Sequence, residues 1–124
     1  MELTINLGDE KVRLKASAIT AIHYKNQFQS DILKDTLEAI GGVEAIHKLN
    51  NLEHASDYRK LKELIDGIDT VLIYQFVWAW AKTANIKLEP FYEWLSQVDM
   101  PPATVLLQEP GFIELLVRNV YRKK

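Results

Sequence analysis

The residues of this 124-residue chain whose types and spacing could do chemistry are three histidines, one Glu-x-x-His pair and a basic C-terminal end. Glu44 and His47 are three positions apart, which puts both side chains on one face of a helix. A carboxylate di-iron site needs two such pairs and two further glutamates, and only one pair is present. Glu44 and His47 are therefore expected on a solvated surface. His23 falls in an amphipathic segment, where a surface or boundary position is expected. His54 lies beside Glu53 in a stretch of loop composition, and zinc would need converging ligands that the sequence does not identify. There is no cysteine, which excludes disulfides, thiolate metal sites and a cysteine nucleophile and suits a reducing compartment. No G-x-S-x-G elbow, Walker loop or dinucleotide glycine fingerprint occurs. Asp66 and Asp69 flank a helix boundary, where capping accounts for them. No constellation fills named catalytic roles. The expectation is a non-enzyme with no catalytic, metal or cofactor-binding residues and no cofactor, although a site assembled in space would leave no local motif.

Two further features concern partners. Arg118, Arg122, Lys123 and Lys124 follow Glu114 with no later acid. Cations are stabilising near a helix C-terminus. A nucleic-acid arm is the sharper alternative, but the net charge of −2 supplies no general attraction to a polyanion, so nucleic acid is not expected as a partner. The segment "IYQFVWAWAKTANIK" (73–87) holds two of the three tryptophans. Its most apolar run, 71–81, would span about 16 Å as a helix, short of the ~30 Å hydrocarbon layer, so no membrane partner is expected. Tyr74, Trp78 and Trp94 are candidates for a partner-binding surface, because aromatics offer contact area at low rotamer cost. Core packing is the competing explanation for each.

The elements that would position these residues follow from periodicity. Residues 2–7 and 11–16 alternate, with Leu3, Ile5, Val12 and Leu14 on one side, and "GDE" between them suits a hairpin connection. From Ser17 the period becomes helical: Ser17 caps a segment with Ala18, Ile19 and Ile22 on neighbouring positions. Ser30 opens a second helix with a stripe of Leu33, Leu37 and Ile40, ended by Gly41-Gly42. A short helix over 43–49, a loop at "NNLEHAS" and a helix capped by Ser56 with Tyr58, Leu61 and Ile65 on one face come next. The aromatic segment predicts a helix over 69–85, with a buried strand as the alternative because "VLIYQFVW" is rich in β-favouring residues. As a helix it is apolar nearly all round. Gln75 and Lys82 mark a narrow wet strip, Trp78 borders it, and Trp80 lies opposite in the core. Pro90 suits the first turn of a short helix, "TVLLQ" is too short to assign, and a last helix starts near Pro110 or Gly111. The fold class expected is α+β, one domain over 1–124, with a small N-terminal β-hairpin (1–16) packed on a helical part (17–124) of five or six helices. The first ten residues, "MELTINLGDE", lack the basic and apolar regions of a signal peptide.

The residues "ELTINLGDEKVRLKASAITAIHYKNQF" and, later, "YQFVWAWAKTANIK…FYEWL" resemble the tail assembly chaperones of long-tailed phages and prophages infecting Gram-positive bacteria. The resemblance covers about half the chain and lies in a hairpin leading into a helix, then an aromatic, alanine-rich helix followed by a short one. It implies a non-enzymatic factor of the host bacterial cytoplasm, absent from the mature virion. It implies binding to the tape measure protein, with the tail tube protein as a further partner, and self-association. Another phage morphogenesis protein, a head–tail connector or a tail terminator, is a competing reading. So is a small regulatory module that contacts nucleic acid through the basic C-terminus.

Overall fold

The computed structural model describes residues 1–40 and 69–120. Strands β1 (Glu2–Leu7) and β2 (Glu10–Lys15) pair antiparallel, with Leu3 opposite Leu14 and Ile5 opposite Val12. Gly8 and Asp9 connect them. Gly8 has φ 65° and Asp9 does not share the left-handed region, the pattern of a type II′ turn, whose twist matches that of paired strands. Ile5, Leu7, Val12 and Leu14 are buried, while Thr4, Asn6, Lys11 and Arg13 face out. A two-stranded ribbon is marginal alone; its apolar side lies on the helices.

Six helices occur among the described residues: α1 (Ala18–Phe28), α2 (Ile32–Ile40), α3 (Thr70–Ala84), α4 (Phe91–Gln97), α5 (Ala103–Leu106) and α6 (Phe112–Arg118). The helix α3 is central and packs on β2, α1, α2 and α5. Asp69 caps it by accepting from the Val71 and Leu72 amides at 3.0 and 3.2 Å, satisfying two donors that no helical carbonyl reaches. Ile73 and every residue from Phe76 to Ala81 are buried. A helix apolar nearly all round is stable only when covered on most sides, and α3 is so covered. The fold is α+β, a small hairpin packed on a helical domain, as the sequence leads one to expect. The strand alternative for 71–78 does not hold. Among the described residues no helix is long and apolar enough to cross a membrane.

Several helix faces differ from expectation. In α1 the buried residues are Thr20 and Tyr24, whereas Ile19 and Ile22 are exposed. In α2 the inward side carries Ile32, Asp35, Thr36 and Ala39, and Leu33 is turned outward. The cause is the same in both: inward polar groups have partners. Thr20 Oγ1 lies 2.7 Å from Thr83 Oγ1. Thr36 Oγ1 donates to the Ile32 carbonyl and accepts from Asn119 Nδ2. Buried polar groups with partners cost little, so hydrogen bonding sets these faces against the count of apolar residues. Asp31, not Ser30, caps α2, accepting from the Leu33 and Lys34 amides. "TVLLQ" contributes one helical turn, α5, and α6 ends at Arg118. Gly41-Gly42, the expected helices over 43–49 and 56–66 and the loop between them lie outside the described residues.

Candidate functional site

The three aromatic candidates sit around α3 and α4, and the structure places none of them as a free recognition side chain. Trp78 is 3% exposed and Trp94 3% exposed. The Trp78 indole Nε1 donates to the Glu89 carbonyl at 2.9 Å, so the ring is held against the segment linking α3 to α4. The Phe28 ring meets Trp78 edge-on at 5.5 Å and Phe91 edge-on at 5.0 Å, geometries favoured by the aromatic quadrupole. Trp94 projects into the core from α4. Tyr74 is half-buried, and its hydroxyl donates to the Pro101 carbonyl at 3.1 Å. The expectation that Trp78 borders solvent is corrected: α1 supplies Phe28 and the 85–91 segment closes over the indole. Trp80 is fully buried as expected, with Nε1 donating to Asn119 Oδ1 at 3.1 Å.

The expected wet strip is also corrected. Gln75 is partly buried with its amide 2.8 Å from the Tyr24 hydroxyl. Lys82 Nζ donates to the carbonyls of Ile86 and Leu88 at 2.6 and 2.9 Å, closing off the turn that follows α3. This side of α3 therefore faces α1 and the 85–90 segment. The open apolar side chains nearby are ones that periodicity did not single out: Ile86 at 72% exposure and Tyr92 at 81%. Tyr92 had a legible signal, because buried Phe91 and Trp94 are three apart and leave position 92 off their shared helix face.

His23 is half-buried, and its imidazole is held below the ordinary value by burial first and by the Lys82 ammonium second. It is a boundary residue. Buried Tyr24 and Asp35 cluster with half-buried Ser30: the carboxylate accepts from the Tyr24 hydroxyl at 2.7 Å and from Ser30 Oγ at 2.9 Å. Burial raises the Tyr24 phenol, and the Asp35 hydrogen bond and charge add to it, followed by Asp69 and Glu38. Such a phenol holds its proton and acts as a donor, not as a base. A cleft of ≈ 440 Å³ opens between the start of α1 and the end of α6, lined by Ala18, Ala21, Ile32 and Arg118 among others.

Among the described residues, no group of three or more His, Asp or Glu side chains is placed to hold a metal ion. Glu44, His47, His54, Arg122, Lys123 and Lys124 lie outside the described residues. What the described arrangement offers is contact: apolar side chains left open beside a buried aromatic core. No family model, curated protein or solved structure matches this chain.

Proposed function

We propose that this protein is a tail assembly chaperone of a long-tailed phage or prophage. It binds the tape measure protein in the host cytoplasm, keeps it soluble while tail tube subunits assemble around it, and does no covalent chemistry. The observation that carries the proposal is the resemblance of residues 2–28, 74–87 and 91–95 to that family, which touches the hairpin, α1, α3 and α4.

The open apolar side chains support it. A holdase for long apolar helices needs exposed area that receives an amphipathic helix. Ile86 and Tyr92 offer such area at one end of the Trp78–Phe91 cluster, and Ile19 and Ile22 offer it on the outer side of α1. Trp78 holds the segment between Ile86 and Tyr92 through the Glu89 carbonyl.

Co-expression with its cognate tape measure protein tests the proposal. The expected result is a higher soluble yield of the tape measure protein and a co-purifying complex, weakened by Ile86→Ser with Tyr92→Ser. A tape measure protein that stays insoluble and never co-purifies under varied expression conditions would sink it. Steeply salt-dependent nucleic-acid binding by the free protein would favour the regulatory alternative instead.

A further inference from the structure

The hairpin has a phase. The Ala16 amide donates to the Met1 carbonyl at 3.0 Å, and the register places Leu3 opposite Leu14, Ile5 opposite Val12 and Leu7 opposite Glu10. In an antiparallel ladder hydrogen-bonded pairs alternate with pairs that exchange no bond. Residues 1, 3, 5 and 7 therefore exchange bonds with β2, and a two-residue turn closing on Leu7 and Glu10 agrees with that phase. The amides and carbonyls of Glu2, Thr4 and Asn6 point away from β2. Among the described residues, no backbone group pairs with those three positions. The opposite edge presents Lys11, Arg13 and Lys15, and the Lys15 carbonyl already accepts from Thr20 Oγ1 at 3.4 Å.

The two edges differ in what they permit. Two copies joined through β2 about a two-fold axis would set Arg13 against Arg13 and Lys11 against Lys15. Like charges directly opposite are destabilising, and cationic side chains on an edge strand are a common guard against pairing. Joined through β1, the register with the fullest overlap sets Thr4 against Thr4 and Glu2 against Asn6. No like charges then meet, and Thr4 lies on the axis as a hydrogen-bonded pair. Arg13 already donates to Glu2 at 2.8 Å within the hairpin, so the one acid on this edge is partly neutralised. The same register sets the half-buried Leu3 beside Ile5 of the second copy, continuing the apolar side of the sheet.

We propose that the outer edge of β1 is a self-association surface, on which a second copy of this chain adds its own β1 antiparallel to form a closed, four-stranded, two-fold dimer. An isologous interface of this kind closes on itself and does not extend into a filament. Self-association is also what the family resemblance implies, but the edge and the register rest on the hairpin alone, and the test needs no tape measure protein.

Sedimentation equilibrium of the purified chain and of edge variants decides it. Thr4 is exposed and its amide is not used within the hairpin, so Thr4→Pro removes both axial hydrogen bonds while leaving the intramolecular ladder intact. It is expected to raise the dimer dissociation constant about tenfold or more. Thr4→Lys and Thr4→Glu each place like charges across the axis and are expected to weaken the dimer roughly fivefold. An equimolar mixture of those two variants restores it, because an ammonium then faces a carboxylate across the axis. Lys11→Glu on the other edge leaves the dimer unchanged. A wild-type chain that is monomeric at every concentration overturns the proposal. So does a dimer indifferent to all three Thr4 variants, and so does an assembly whose mass grows without limit.

Discussion

The Tyr24 hydroxyl and the Asp35 carboxylate meet at 2.7 Å with Tyr24 fully buried and Asp35 7% exposed. One phenol proton serves one acceptor, and the charged carboxylate is the stronger. Gln75 Oε1 lies on the other side of the phenol oxygen at 2.8 Å. The contact ties α1 to α2, and Gln75 ties both to α3. Tyr24→Phe leaves Asp35 with one fewer donor and removes the oxygen that Gln75 meets. It is expected to lower stability by about 1–3 kcal/mol at neutral pH, measured by urea unfolding.

The same pair gives a pH dependence. The Tyr24 phenol is raised above its ordinary value of 10.0, by burial first and Asp35 second. The folded state therefore keeps the proton at pH values where the unfolded chain gives it up. Stability contributed by this group is full below about pH 10 and falls as pH rises above it. The expected observation is a steeper alkaline loss of stability in the wild type than in Tyr24→Phe. Identical slopes between about pH 9 and 11, the range that brackets an ordinary phenol, would show that other groups govern the alkaline limb.

At the hairpin tip, Gly8 combines φ 65° with close approach to the loop after α4. A Cβ built there would lie 2.9 Å from Asp99 Cβ, a contact near the backbone that a side-chain rotation does not relieve. Gly8→Ala is expected to cost about 1–3 kcal/mol from the left-handed conformation and the clash together. In a double-mutant cycle, Asp99→Gly is expected to recover the steric part and leave the conformational part. Full additivity of the two substitutions would place the whole cost in the backbone.

The elements of the described chain were legible because their signals are local. Alternation marked the two strands, Ser17 and Asp69 marked helix starts, and the uninterrupted apolar run marked α3 as central. The faces of α1 and α2 were not legible. Thr20, Asp35 and Thr36 are inward because Thr83, Tyr24, Ser30 and Asn119 meet them there, and most of those partners are distant in sequence. Periodicity weighs Leu33 against Asp35 one residue at a time and sees neither Tyr24 nor Ser30. The wet strip of α3 was misplaced for a related reason. Counting placed Trp78 beside Gln75 and Lys82, but whether that side is wet depends on α1 and on the turn that Lys82 secures.

The end of α1 offers a stabilising substitution. Gln29 holds φ 55°, and its amide donates to the Lys25 carbonyl at 2.9 Å. This left-handed position is one that glycine adopts without the Cβ penalty. Gln29 is exposed, and its side chain makes only a contact with the Asn26 carbonyl at 3.1 Å among the described residues. Gln29→Gly is expected to raise stability by about 0.5–1 kcal/mol, read as a shift in the urea midpoint with an unchanged slope.

The tryptophans of "VWAW" give the last expectation. Side chains two apart on a strand point alike and those on a helix do not, so equal burial of Trp78 and Trp80 would ordinarily speak for a strand. Here the segment is helical, and the two are 3% and 0% exposed. The reason is coverage from every side: Trp80 meets Phe112 edge-on at 5.4 Å, while Trp78 meets Phe28 and the Glu89 carbonyl. Both Trp78→Ala and Trp80→Ala are therefore expected to cost about 3–5 kcal/mol, a large share of a marginal total. Conservative replacement separates them. Trp80→Phe removes the partner of Asn119 Oδ1 in the relay that continues to buried Thr36, whereas Trp78→Phe releases a carbonyl on the exposed Glu89, where water can replace the indole. Urea unfolding is expected to rank Trp80→Phe as the costlier of the two by about 1 kcal/mol. The reverse order would mean that the Glu89 contact, not the Asn119 relay, fixes the aromatic helix in place.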